Sequence, residues 1–315
     1  MAMTDTATRA PGGRPAVRLG DRIFSGTAWA AAMLIMVALA GVAVFLFIEG
    51  LPGLSAPTDI YRPATGFWTY VGPLVFGTIL AAVVALVIAV PFSIGLALFI
   101  SHYAPPRLAA PIAYLIDLLA AVPSVVYGLW GGLALAQAIK PVLNWLYDNL
   151  GWIPFFAGPP SVTGRTMLTA GIVLAIMVIP ITTAISREVF AQTPRLHEEA
   201  AMALGATRWE MIRLAVFPYA RSGVISGVML GLGRALGETM AVLMVLSATP
   251  IVTLNLISDT NPATIASNIA SNFKEATPDK QALLIATGLV LFVVTFAVNF
   301  AARWIVARHE RMVTR

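Results

Sequence analysis

Hydrophobic residues gather along this chain in six long runs, at about residues 27–48, 76–100, 109–136, 167–185, 222–246 and 282–306. Shorter polar stretches separate them. A helix rises 1.5 Å per residue and a bilayer's hydrocarbon core is about 30 Å thick, so about 20 apolar residues make one crossing. Each run predicts a membrane-spanning helix. The first follows a basic segment (Arg9, Arg14, Arg18, Arg22), but its apolar core is longer than that of a signal peptide and reads as a retained helix. Pro91, Pro111, Pro123 and Pro180 fall inside the runs. They read as kinks, which membrane helices tolerate because neighbouring groups re-satisfy the freed carbonyls.

Composition agrees with the pattern. Of 315 residues, 58% are hydrophobic and 11% charged, and mean hydropathy is +0.84. Soluble domains carry about 25% charged residues. The fold class read from the sequence is therefore an all-α polytopic membrane protein with about six transmembrane helices. Net charge is +5. The basic residues are scattered among apolar runs, which points to membrane orientation and away from nucleic acid. Alternate sides of the six spans hold fourteen and five lysines and arginines, with Arg234 inside a span. The richer side is expected to be cytoplasmic and to hold both termini. This divides the chain into a cytoplasmic tail (1–25), a first span with its outer loop (26–70), a main transmembrane domain (71–307) and a second cytoplasmic tail (308–315).

The chain has no cysteine, and its histidines (His102, His197, His309) show no metal-ligand spacing. No metal and no catalytic residue is expected. No G-x4-G-K-[ST] phosphate loop is present, so any ATP chemistry belongs to a partner, and no cofactor is expected here.

The cytoplasmic connection before the fifth span is rich in helix signals. Thr193 is a candidate N-cap, with Pro194 at the first helical position and Glu198 and Glu199 in the first turns. Gly205 supplies a stop, Thr207 and Glu210 form a capping box that starts a second helix, and Pro218 is expected to end it. This predicts a helix–turn–helix over 193–218. Within it, Glu199-Ala200-Ala201-x3-Gly205 is followed by Phe217-Pro218. That pattern resembles the EAA signature of ABC importer permeases, E-A-A-x3-G-x9-I-x-L-P, with Ala215 and Phe217 departing from it. The resemblance implies that Glu199, Ala200, Ala201, Gly205 and Pro218 form a loop that docks on an ATPase subunit and transmits its closure.

The fifth span carries two charges, Arg234 and Glu238. At about 100° per residue, Gly223, Gly227 and Gly231 fall within about 40° of one line, and Arg234 and Glu238 lie within about 20° of it. One reading is a small-residue ridge for helix packing, with an ion pair buried against a neighbour. The other is an anion pathway, because a guanidinium binds oxyanions through bidentate donors and marks function when placed in a membrane. Asp117 in the third span reads as a neutralising or packing acid.

The run Gly233-Arg234-Ala235-Leu236-Gly237-Glu238-Thr239-Met240-Ala241-Val242 resembles the fifth span of the C-type permeases of phosphate-specific importers, and Ala121-Val122-Pro123-Ser124-Val125-Val126-Tyr127-Gly128 resembles their third. The likeness covers about residues 20–310. It implies the type I ABC importer (MetI-like) fold in a bacterial inner membrane. It implies a heterodimer with an A-type permease, two ATPase copies and an external phosphate-binding protein, with lipid around the spans. It implies a transport role for Arg234 and Glu238. The same architecture could import molybdate or sulfate, and a secondary transporter would need no ATPase.

Overall fold

A computed structural model of the protein describes residues 19–55, 57, 59–61 and 64–313. Arg9, Arg14, Arg18 and Arg62, and the side chains of Arg308, Arg311 and Arg315, lie outside the described residues, as do 1–18 of the first predicted tail and 314–315 of the second. The chain divides into two compact units, Met1–Phe45 and Leu46–Arg315. The described part of the first unit is the larger portion of helix α1 (Leu19–Leu54). Trp29, Met33, Leu34, Ile35, Met36 and Val37 are all exposed along it. A helix apolar on every face fits a lipid environment.

The second unit is built on α2 (Phe67–Leu98) and α7 (Met167–Ala191), which pack along most of their length. Small residues permit that approach. Ala81, Ala82, Ala85 and Ala89 are buried on α2, and Gly171 on α7 lies so near Val84 that a Cβ would come within 2.3 Å of it. The Ser93 hydroxyl donates to the Ile179 carbonyl at 3.3 Å, and Thr183 donates to the Ser93 carbonyl at 3.5 Å. A π turn, Phe99–Tyr103, ends α2 and leads into α3 (Pro106–Ala120).

The third apolar run does not form one helix. It is α3, a break at 121–123, then α4 (Ser124–Trp130), a π turn and α5 (Ala136–Ala138), and the two halves meet at 92°. Pro123 causes more than a kink. It has no N–H for the Leu119 carbonyl and restricts Val122 before it to extended geometry. The Tyr127 hydroxyl donates to that same Leu119 carbonyl at 2.9 Å, closing the elbow from its far side. α6 (Lys140–Leu150) follows.

At the opposite end of α7 come α8 (Arg195–Ala203) and α9 (Arg208–Met211). Through a π turn at Ile212–Val216, α9 runs on into α10 (Phe217–Gly237). Pro218 therefore does not end the second helix of the loop. It follows just after the π turn, where the hydrogen-bond ladder is already shifted, and the helix continues past it. The fifth run also divides, because α10 stops at Gly237 and α11 (Met240–Val245) starts after a gap of two residues. Beyond it, β1 (Ala248–Thr249) pairs in parallel with β2 (Asn261–Pro262), and α12 (Ile265–Asn272) leads to α13 (Pro278–Val313). Among the described residues, five helices are long and apolar enough to cross a membrane, or six with the bent pair counted as one span. The fold is all-α in its core.

Candidate functional site

Two regions of the second unit gather the residues singled out by sequence. The first is the loop between α7 and α10. Thr193 does not cap α8; it is buried one residue too early, its hydroxyl has no partner, and Pro194 takes the N-cap position. The turn after α8 is made by Gly205 at φ +87°, with the Gly205 N–H donating to the Met202 carbonyl and the Ala206 N–H to the Ala201 carbonyl. A glycine enters this left-handed region without the steric penalty a side chain brings. α9 then starts on a reciprocal cap: the Thr207 N–H donates to a Glu210 carboxylate oxygen at 2.7 Å, and the Glu210 N–H donates to the Thr207 hydroxyl at 3.3 Å. Ile212 and Val216 are fully buried beside Phe190, and Phe190 meets the Phe217 ring edge-on at 5.7 Å. These contacts hold the helix pair to the bundle.

Between α8 and the start of α10 lies a groove of about 840 Å³, lined by Ala200, Ala201, Gly205 and Pro218. Leu204 stands at its rim, 90% exposed. Four of the five signature residues thus face one concavity. Glu199 faces a separate cleft with His102 and Arg208. One contact that sequence gave no sign of joins the loop to α2's end, where the His102 and Glu198 side chains approach to 3.7 Å. Residues 96 apart in sequence carry no signal that they will meet.

The second region is the break in the fifth run. Gly223, Gly227 and Gly231 face α7, where an added Cβ would come within 2.5 Å of Val189, 3.1 Å of Ile185 and 2.7 Å of Val178. Arg234 lies in the last turn of α10, a helix end whose carbonyls favour a cation. Glu238 is outside the helix, in extended geometry at the gap. Its carboxylate accepts the Ala241 N–H at 3.3 Å, at the positive end of α11. The two do not form an ion pair. The spacing of four residues assumed a continuous helix, and the helix ends between them. Asp117 instead pairs with Arg187 of α7 at 3.7 Å.

The gap in the fifth run meets the half-span that follows the elbow. A Cβ on Gly128 of α4 would lie 2.9 Å from the Ala241 Cα, and Gly132 approaches the Met244 carbonyl as closely. Tyr127 lies within electrostatic reach of Arg234. The two stretches that resembled one importer family, 121–128 and 233–242, are therefore packed together, each at a broken span. Broken spans put helix-terminal dipoles and free backbone groups inside a membrane, where they can serve ions.

Known proteins match this arrangement. The sequence profile of a family described as "Binding-protein-dependent transport system inner membrane component" matches residues 89–311. The chain belongs to that family. This permease is 47% identical over 302 residues to the "Phosphate transport system permease protein PstC 2" of Mycobacterium tuberculosis, covering 92% of each chain. It is 43% identical to the "Phosphate transport system permease protein PstC" of Mycobacterium leprae, covering 94% of this chain and 96% of that one. It is 39% identical to the PstC protein of Mesorhizobium japonicum. Among solved structures, a bacterial ABC transporter involved in the import of the acidic polysaccharide alginate superposes with a TM-score of 0.57 at 15% identity, covering 91% of this chain and 99% of that one. That likeness shows the fold of the permease, which is the type I ABC importer fold. The permease is a multi-pass membrane protein and a transport subunit.

Proposed function

We propose that this permease forms part of the translocation path of an ATP-driven importer of inorganic phosphate, with Arg234 contacting the anion in transit. One observation carries the reading: a guanidinium without an ion-pair partner among the described residues, at a break between two half-helices in a membrane-spanning segment. A charge so placed is costly unless it has work to do. A guanidinium suits an oxyanion because it donates in pairs and stays charged. The names borne by the relatives at 39–47% identity favour phosphate over molybdate or sulfate.

The rest of the assembly follows from the same reading. A second permease of the A type completes the path, and an external phosphate-binding protein delivers the anion. A pair of ATPase subunits docks at the loop groove lined by Ala200, Ala201, Gly205 and Pro218. The apolar lining and projecting Leu204 suit a protein partner better than water. Both termini and this loop face the cytoplasm, the bacterial inner membrane surrounds the spans, and Glu238 supports the path by holding the start of α11.

Phosphate uptake by the assembled transporter in proteoliposomes tests the assignment. Arg234→Gln should abolish uptake, and Arg234→Lys should lower it roughly tenfold to a hundredfold, as expected when charge-assisted hydrogen bonds are lost. Assembly with the ATPase should persist in both. Full uptake in Arg234→Gln would remove Arg234 from the path, and uptake of molybdate or sulfate in preference to phosphate would replace the substrate.

A further inference from the structure

An open groove of about 1190 Å³ runs between α10 and α13 in the second unit. Arg234 and Gly233 line one end, and Ser226 and Ser222 follow on α10 toward its start. Twelve residues of helix separate Ser222 from Arg234, which is about 18 Å. Phe296, Asn299, Phe300 and Arg303 of α13 make the opposite wall, with the two phenyl rings stacked at 6.4 Å. Among the described residues, two arginines line this groove and no carboxylate does.

Sequence accounts for Arg303 as one more positive charge near the cytoplasmic surface. An anchoring arginine of that kind extends to the headgroups and has no need of a groove. Arg303 instead shares a cleft with the arginine at the helix break. Among the described residues neither has an ion-pair partner, and the Ser226 hydroxyl donates to the Ser222 carbonyl at 2.9 Å, leaving the Ser226 oxygen lone pairs and the Ser222 hydroxyl facing the groove. Ser222 and Arg303 are both exposed and open onto this groove, where water or an anion can meet these donors.

We propose that this groove is the inner limb of the anion path, in which Asn299 and Arg303 of α13, with Ser222 and Ser226 of α10, receive the anion from Arg234 and pass it to the cytoplasm. The inference rests on the transport role proposed for Arg234 and extends it to residues on a second helix. Arg303 lowers the potential along the route for any oxyanion, while the hydroxyls and the amide replace water as it moves. Arginines on two different helices along the groove offer the anion more than one site, which conduction requires.

The absence of native cysteine permits a direct test in the assembled importer, in inside-out membrane vesicles. Ser226→Cys and Asn299→Cys should react with an anionic sulfonate thiol reagent from the cytoplasmic side, faster than with a cationic one. Inorganic phosphate should slow that labelling. Adding Arg303→Gln should lower the anionic-to-cationic rate ratio on the order of tenfold, whereas Arg303→Lys should keep it. Should Asn299→Cys fail to reach the membrane, Ser222→Cys reports the same groove. Protection by sulfate or molybdate but not phosphate would leave the route standing and overturn the phosphate reading alone. Labelling only by a lipid-soluble maleimide, a rate ratio indifferent to Arg303, or no protection by any of the three oxyanions would overturn the route.

Discussion

Gly205 shows how narrow a requirement one residue can meet. Its φ is +87°, yet nothing lies within 4 Å of where a Cβ would project. Any penalty for a side chain there comes from the backbone and not from crowding. Gly205→Val should therefore cost about 1–2 kcal/mol at the turn, and Gly205→Asn should cost less because asparagine enters the left-handed region more easily. The expected outcome is lost uptake and lost copurification with the ATPase for the valine variant, and near-normal values for asparagine. Equal behaviour of the two would detach the turn from coupling. This glycine's role was legible because helix stops have local signatures. The relation of Arg234 to Glu238 was not, because a spacing of four residues describes a pair only while the helix between them is unbroken.

At the scale of elements, both broken spans lie where the sequence was richest in signals, yet neither break was legible. Pro123 was visible, but whether a proline bends a membrane helix or divides it depends on what satisfies the carbonyl four residues back. Here the Val122 N–H does so at 3.2 Å, joined by the Tyr127 hydroxyl from beyond the bend at 2.9 Å. Tyr127→Phe removes one of the two donors on the Leu119 carbonyl, the Val122 N–H remaining, and should cost roughly 0.5–1.5 kcal/mol, read as a lower melting temperature of the purified transporter. Pro123→Ala restores an N–H for that carbonyl. The double variant should regain stability while uptake falls, since the half-span carrying Gly128 then loses its angle to α11. Unchanged uptake in the double variant would mean that the 92° elbow is incidental. The six apolar runs, by contrast, were legible from length alone, because crossing a bilayer constrains length more tightly than shape.

For the whole molecule, the proposed orientation makes the α7–α10 loop cytoplasmic and the α12 region external. Gln192 and Ser271 are both exposed, so a cysteine at either is open to reagent. An impermeant maleimide applied to intact cells should label Ser271→Cys and leave Gln192→Cys untouched, and inverted vesicles should reverse the result. The opposite pattern would turn the molecule over. Between these two faces, Arg208 to Gly237 form 30 residues of helix without interruption, about 45 Å long. Mechanically, that segment is a push-rod. On the proposed orientation, a displacement imposed at the loop groove would reach the arginine at the far end, and the π turn at Ile212–Val216 with Pro218 just after it is where the rod can take up torsion. On the proposed coupling, the power stroke and the movement of the anion's contact would then be a single event, with no relay between them to slip.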